Sequence, residues 1–120
     1  MKKKVLIVDD EKEIVEFLKH FLERFNVNAY AVTRGDEAFD EYSRIKPDCV
    51  FLDIQLPGKD GLTILKELTK LDPQAQVIMI TGKEDKEYQD KAKKYGAQDY
   101  ITKPLDLSEL KEKIEKYIIA

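Results

Sequence analysis

The stretch Val5-Leu6-Ile7-Val8-Asp9-Asp10-Glu11 runs four apolar residues straight into three carboxylates. So short an apolar run fits a buried strand, and the aspartates behind it put charge at the strand's carboxyl end. The plan recurs along the chain. Cys49-Val50-Phe51-Leu52 leads into Asp53, Val77-Ile78-Met79-Ile80 into Thr81, and Asp99-Tyr100-Ile101 into Thr102-Lys103-Pro104; Val27 to Val32 supplies a fifth run. Three of these runs are apolar without interruption, the pattern of strands covered on both faces in a parallel sheet.

Helical periodicity fills the intervals. Ile14, Leu18, Phe21, Leu22 and Phe25 fall on one side of a helical wheel with Phe17 at its edge, and Leu107, Leu110, Ile114, Tyr117 and Ile118 repeat the pattern near the end. Asp106 with Glu109 has the form of a capping box for that last helix. Asp85 to Tyr95 offers only Tyr88, Ala92 and Tyr95 as an apolar stripe, which predicts a thinly anchored helix. Pro47, Pro57-Gly58, Pro73, Pro104, Gly35, Gly82 and Gly96 all fall between elements. There is no internal repeat, low-complexity tract or linker. Strict strand-helix alternation predicts an α/β fold, a doubly wound five-stranded parallel sheet in the flavodoxin-like order 2-1-3-4-5, spanning residues 1–120 as one domain.

Composition narrows the function. With 21 basic and 24 acidic residues in 120 and a formal net charge of -3, there is no electrostatic case for direct nucleic-acid binding. The single cysteine, Cys49, excludes an intrachain disulfide and reads as a small buried hydrophobe, so a reduced, cytoplasmic setting is expected. Met1-Lys2-Lys3-Lys4 resembles the start of a signal peptide, but the apolar stretch behind it stops at Asp9. No segment is long enough to span a bilayer, so no membrane partner is expected.

In such sheets ligands bind at the carboxyl ends of the strands near the topological switch point. That rim gathers Asp9, Asp10, Asp53, Thr81, Tyr100 and Lys103-Pro104. With strands one and three adjacent, three carboxylates crowd together, and a hard divalent ion resolves their repulsion. Oxygen-only ligands suit Mg²⁺, with Mn²⁺ as a substitute, better than zinc. Asp10 with Glu13 also has the form of a capping box for the first helix, the ordinary alternative to a metal ligand. A metal, a hydroxyl and an ammonium around a carboxylate are equipment for phosphoryl chemistry: Lys103 and the metal neutralise oxygens, Thr81 donates a hydrogen bond, and Asp53 attacks in line.

At these residues the sequence resembles the response-regulator receiver family. The resemblance rests on Val5 to Glu11, Pro47 to Gly61, Ile80-Thr81-Gly82 and Gly96 to Pro104, in this order and spacing, and covers almost the whole chain. It implies that Asp53 accepts phosphate from a phosphohistidine on a sensor histidine kinase or histidine phosphotransfer protein, and that hydrolysis reverses the step. Asp10, Asp53 and the backbone carbonyl of Gln55 would ligate Mg²⁺, with Asp9 holding it partly through water. Lys103 would pair with the phosphoryl group, positioned by a cis peptide bond to Pro104. Thr81 and Tyr100 would act as switch residues, reshaping the surface of helix four, strand five and helix five for a downstream protein target or output domain. The resemblance further implies a monomer or a weak phosphorylation-dependent dimer, and a signalling receiver that promotes its own aspartyl phosphorylation and dephosphorylation rather than an enzyme. Gln55 and Lys83 flank the acceptor and would influence acyl-phosphate lifetime. His20 faces away from the apolar stripe, so the donor histidine belongs to another protein, whereas Phe17, Ile14 and the Pro104 loop are candidates for its docking patch.

Two related chemistries fit less well. A haloacid-dehalogenase-type phosphatase wants a D-x-D nucleophile after strand one, and a flavodoxin wants a hydroxyl- and glycine-rich phosphate loop where this chain has Asp9-Asp10-Glu11. No Walker loop occurs. A non-catalytic interaction module of the same fold would not need the acidic set together with Lys103.

Overall fold

Val5, Leu6, Ile7 and Val8 are all fully buried, which an apolar run achieves only with packing on both faces of its strand. A computed structural model describes residues 2–82 and 86–119. Its strands are β1 (Lys4–Val8), β2 (Asn28–Val32), β3 (Cys49–Asp53), β4 (Val77–Thr81) and β5 (Asp99–Thr102). All pair in parallel, in the order β2-β1-β3-β4-β5. Helices α1 (Lys12–Glu23), α2 (Ala38–Ile45), α3 (Gly61–Leu71), α4 (Lys86–Lys94) and α5 (Leu107–Ile114) connect or follow them. A 3-10 turn at Gly35–Glu37 precedes α2, and a π-helical turn at Glu115–Ile119 continues α5. The predicted α/β architecture and strand order are those observed.

Because strand side chains alternate, the sheet divides the core in two. Leu6, Val8, Val50, Leu52, Val77 and Met79 pack with α2, α3 and Ala92 of α4. Val5, Ile7, Cys49, Phe51, Ile78, Ile80 and Ile101 pack with α1 and α5. Phe51 is the largest fully buried side chain, and its loss to alanine would cost about 3–5 kcal/mol. The core therefore runs through the middle of the sheet and leaves polar groups at its ends.

The helix faces differ in detail from the wheel. The buried row of α1 is Val15, Leu18 and Leu22, with Ile14, Phe21 and Phe25 only partly covered and Phe17 38% exposed. Leu107 is 53% exposed and does not belong to the packing row of α5. It opens that helix at the rim, while Leu110, Ile114 and Ile118, spaced every four residues, meet the sheet. Asp106 accepts a hydrogen bond from the Glu109 N–H at 3.0 Å, so the start of α5 is marked as expected. At α1 the N-cap residue is Glu11 and no side chain caps the helix, which removes the capping reading of Asp10. Ala92 is the buried residue of α4, with Tyr88 and Tyr95 packed partly against the core. Asp85 and Lys83 lie outside the described residues. Among the described residues, no helix is long and apolar enough to cross a membrane.

Candidate functional site

Register builds the site. Val8 pairs with Leu52 across β1 and β3, so the residues that follow, Asp9 just past β1 and Asp53 at the end of β3, stand side by side at the edge of the sheet. Both continue the parity of the α1–α5 face, after Val5 and Ile7 in one strand and Cys49 and Phe51 in the other. They are accordingly buried, at 1% and 5% exposure, whereas Asp10, one residue further, is exposed. Carboxylate oxygens of Asp9, Asp10 and Asp53 lie within 4.8 Å of one another, a group able to hold a metal ion.

Lys103 closes the cluster. Its N–H donates to the Thr81 carbonyl at 2.7 Å, extending the β4–β5 ladder by one rung and continuing the parity of Ile101. Its Nζ lies 2.6 Å from Glu11 Oε1 and 3.1 Å from both Asp53 Oδ2 and Asp9 Oδ2. Burial by itself would lower the pKa of this ammonium, but the Glu11 hydrogen bond and the Asp53 and Asp9 carboxylates outweigh it and hold the pKa above the usual lysine range. Asp53 moves the other way for a carboxylate. Burial first, then the Asp9 charge, push its pKa up to about 6 against the pull of Lys103. One ammonium does not neutralise so many acids.

One atom shows the deficit directly. Asp9 Oδ2 is fully buried and faces Lys103 Nζ at 3.1 Å without the alignment of a hydrogen bond, while Asp9 Oδ1 accepts from the Glu11 N–H at 2.9 Å. A buried carboxylate oxygen without a directed partner is costly, and a cation beside it relieves the cost. The surrounding donors are hard oxygens. Cys49 is sealed in the core with its thiol pKa pushed up to about 12 by burial, and His20 sits exposed on α1 between Glu16 and Glu23. This donor set fits Mg²⁺-class ions and not zinc.

The loop after β3 is braced by close backbone contacts. The Gly61 N–H donates to the Ile54 carbonyl at 2.7 Å, and a Cβ at Gly61 would collide with the Asp53 carbonyl oxygen. From the other side the Gly35 N–H donates to the Pro57 carbonyl at 2.9 Å, and a Cβ at Gly35 would overlap the Lys59 carbonyl. Asp60 then caps α3 by accepting from the Thr63 N–H at 3.0 Å. The Gln55 N–H donates to Asp53 Oδ1 at 3.3 Å, so the loop also orients the acid it follows.

Thr81 ends β4 and is 2% exposed. Tyr100 stands elsewhere. It is the second residue of β5, paired with Met79 on the sheet face opposite Ile101, and 39% exposed. The Lys103–Pro104 peptide bond is cis. Two features escaped the sequence reading: the Glu11 side chain on Lys103, and Gly35 and Gly61 as contacts of the Asp53 loop. Glu11 had a signal in its place directly behind Asp9-Asp10; Gly35 had none beyond its residue type.

Known proteins share this fold and sequence pattern. The response regulator receiver domain family profile matches residues 5–115. The chain is 34% identical over 115 residues to the alkaline phosphatase synthesis transcriptional regulatory protein PhoP of Bacillus subtilis, covering 96% of this chain and 48% of that one. It therefore spans about half of that regulator's length. It is 31% identical over 118 residues to sporulation initiation phosphotransferase F of Bacillus subtilis, covering 98% and 95% of the two chains. A two-component response regulator from Clostridium difficile superposes with a TM-score of 0.93 at 28% identity, covering 98% of this chain and 97% of the other. With the acidic pocket at its carboxyl edge and the matching profile over nearly its whole length, this chain belongs to the response regulator receiver domain family of two-component signalling.

Proposed function

We propose that the chain receives a phosphoryl group on Asp53 from a phosphohistidine of a sensor histidine kinase or histidine phosphotransfer protein. The observation that carries this reading is a buried Asp53 carboxylate set 3.1 Å from Lys103 and within 4.8 Å of Asp9 and Asp10. An Asp53 oxygen attacks phosphorus, the P–N bond breaks, and the imidazole leaves with the electron pair and takes a proton. Lys103 pairs with a phosphoryl oxygen and the Thr81 hydroxyl donates to another.

Asp10, Asp53 and the Gln55 carbonyl would hold Mg²⁺, with Asp9 holding it partly through water. The ion supplies positive charge against the phosphoryl oxygens. Hydrolysis removes the group: water attacks phosphorus, the P–O bond to Asp53 breaks, and the carboxylate is restored with inorganic phosphate released. Thr81 shifting toward the new phosphate, and Tyr100 turning inward behind it, would bias the surface of α4, β5 and α5 toward its output state. The sparse apolar contact of α4 supports such a shift, since little packing has to be undone. The output is a downstream protein or an attached domain, and the setting is the cytoplasm, where such relays run.

A small-molecule phosphodonor with Mg²⁺ should add one phosphoryl group by intact mass, and Asp53→Asn should abolish it. An unchanged mass in the parent protein, with Mg²⁺ binding verified, would refute the reading in favour of a non-signalling interaction module. Phosphopeptide mapping to another residue would refute the acceptor assignment.

A further inference from the structure

At the open side of the pocket Glu11, whose side chain is 56% exposed, makes the shortest contact to Lys103, 2.6 Å against 3.1 Å for Asp9 and Asp53. The directed hydrogen bonds of the ammonium go to Glu11 and Asp53. Asp9 and Asp53 are buried and cannot leave; Glu11 stands at the rim and can. A phosphoryl oxygen that comes to pair with Lys103 therefore meets an ammonium already engaged by an anionic oxygen.

We propose that Glu11 is a place-holder for the phosphoryl group. Its carboxylate holds the Lys103 ammonium over Asp53 in the unphosphorylated chain and must be displaced when phosphate arrives. Glu11 is thus a positioning residue, acting through Lys103, that slows phosphorylation of Asp53. The inference rests on the reading of Asp53 as acceptor. Two features make the side chain separable from the fold: the Glu11 N–H, not its carboxylate, holds Asp9 Oδ1 at 2.9 Å, and its side chain forms no cap on α1. Substitution changes the contact to Lys103 and leaves the backbone anchor in place.

The test uses acetyl phosphate at saturating Mg²⁺, followed by intact mass, with melting temperatures confirming that each variant is folded. An Asp53 oxygen attacks phosphorus, the P–O bond to the acetyl group breaks, and acetate leaves with the electron pair. Glu11→Gln removes the charge, whereas Glu11→Asp keeps it on a shorter arm. Both should be phosphorylated roughly three- to fivefold faster than the parent, the scale of a partly exposed ion pair. Glu13→Gln, an equal charge change on the exposed first turn of α1, should leave the rate unchanged. No acceleration in Glu11→Gln overturns the place-holder, and so does a parental rate in Glu11→Asp, which would reduce the effect to overall charge. A Glu13→Gln gain equal to that of Glu11→Gln does the same. A parent that takes up no phosphate overturns the acceptor reading itself, and the place-holder with it; a phosphorylated parent with an unaccelerated Glu11→Gln removes the place-holder alone.

Discussion

Asp53→Asn should make the metal-free protein more stable at neutral pH while weakening its response to Mg²⁺. In the folded chain burial and the Asp9 charge raise the Asp53 pKa from an ordinary 3.8 to about 6. A carboxylate whose folded pKa is raised binds its proton more tightly in the folded state than in the unfolded one. Its contribution to stability therefore falls as pH rises from about 4 through 6, and the full penalty is present at pH 7 and above. At about 1.36 kcal/mol per pH unit the penalty is roughly 3 kcal/mol. Asparagine must still be desolvated and leaves Lys103 with one carboxylate fewer, so a smaller gain of about 1–2 kcal/mol is expected. With an unfolding entropy of about 2.1 cal/mol/K per residue, that corresponds to a melting temperature higher by roughly 4–8 °C.

The assay is thermal unfolding at pH 7.5 in a chelator and again across a Mg²⁺ series. Ligand at about a hundred times its dissociation constant stabilises a folded chain by about 2.7 kcal/mol. The parent should rise with Mg²⁺ and overtake or approach the variant, whose own rise should be smaller. If Asp53→Asn melts at or below the parent in chelator, the like-charge account of the pocket is wrong. If both respond equally to Mg²⁺, Asp53 is not among the residues that hold it.

Two further outcomes follow from the scaffold. Gly35→Ala should lower Mg²⁺ affinity, since a Cβ there pushes on the Lys59 carbonyl and moves the loop behind Asp53; Gly96→Ala, strained at φ +104 and pressed on the Thr69 side chain, supplies a destabilised comparison in which isothermal titration should find Mg²⁺ affinity unchanged. Asp99→Asn removes the charge that pairs with Lys113 at 2.6 Å and leaves one acceptor oxygen for Lys113, Tyr117 and the Tyr100 N–H, costing about 1–3 kcal/mol at pH 7; burial opposes ionisation of Asp99, but these hydrogen bonds outweigh it and hold its pKa below the ordinary 3.8, so the parent's advantage in denaturant titrations should be full above that value and vanish as pH falls through the lower folded pKa.

Much of the molecule was legible in the chain because strand and helix signals are local. Val5 to Val8 reads as a buried strand from four neighbouring residues, and the parity that buries Asp9 and Asp53 but not Asp10 follows from a period of two. Strand order also yielded, since right-handed crossovers leave few ways to stack alternating elements. Finer placements failed where burial depends on what lies opposite. Leu107 has the right period for its helix and still faces solvent, and Val15 rather than Phe21 fills the gap against the sheet. Tyr100 pairs with Met79 on the face opposite Ile101 and is 39% exposed there, a degree of cover set by packing across the sheet and not by neighbouring residues.

The residue types of the pocket, and the repulsion that calls for a cation, were determined by the sequence alone: three carboxylates directly behind apolar strands cannot be neutralised by their neighbours in the chain. Which carboxylate Lys103 engages most closely was decided only by tertiary structure. Glu11 and Lys103 are separated by 92 positions, and no periodicity relates them. Their 2.6 Å contact exists because β1 and β4 flank β3 in the sheet and the rung from Lys103 to Thr81 carries the ammonium across to the β1 rim.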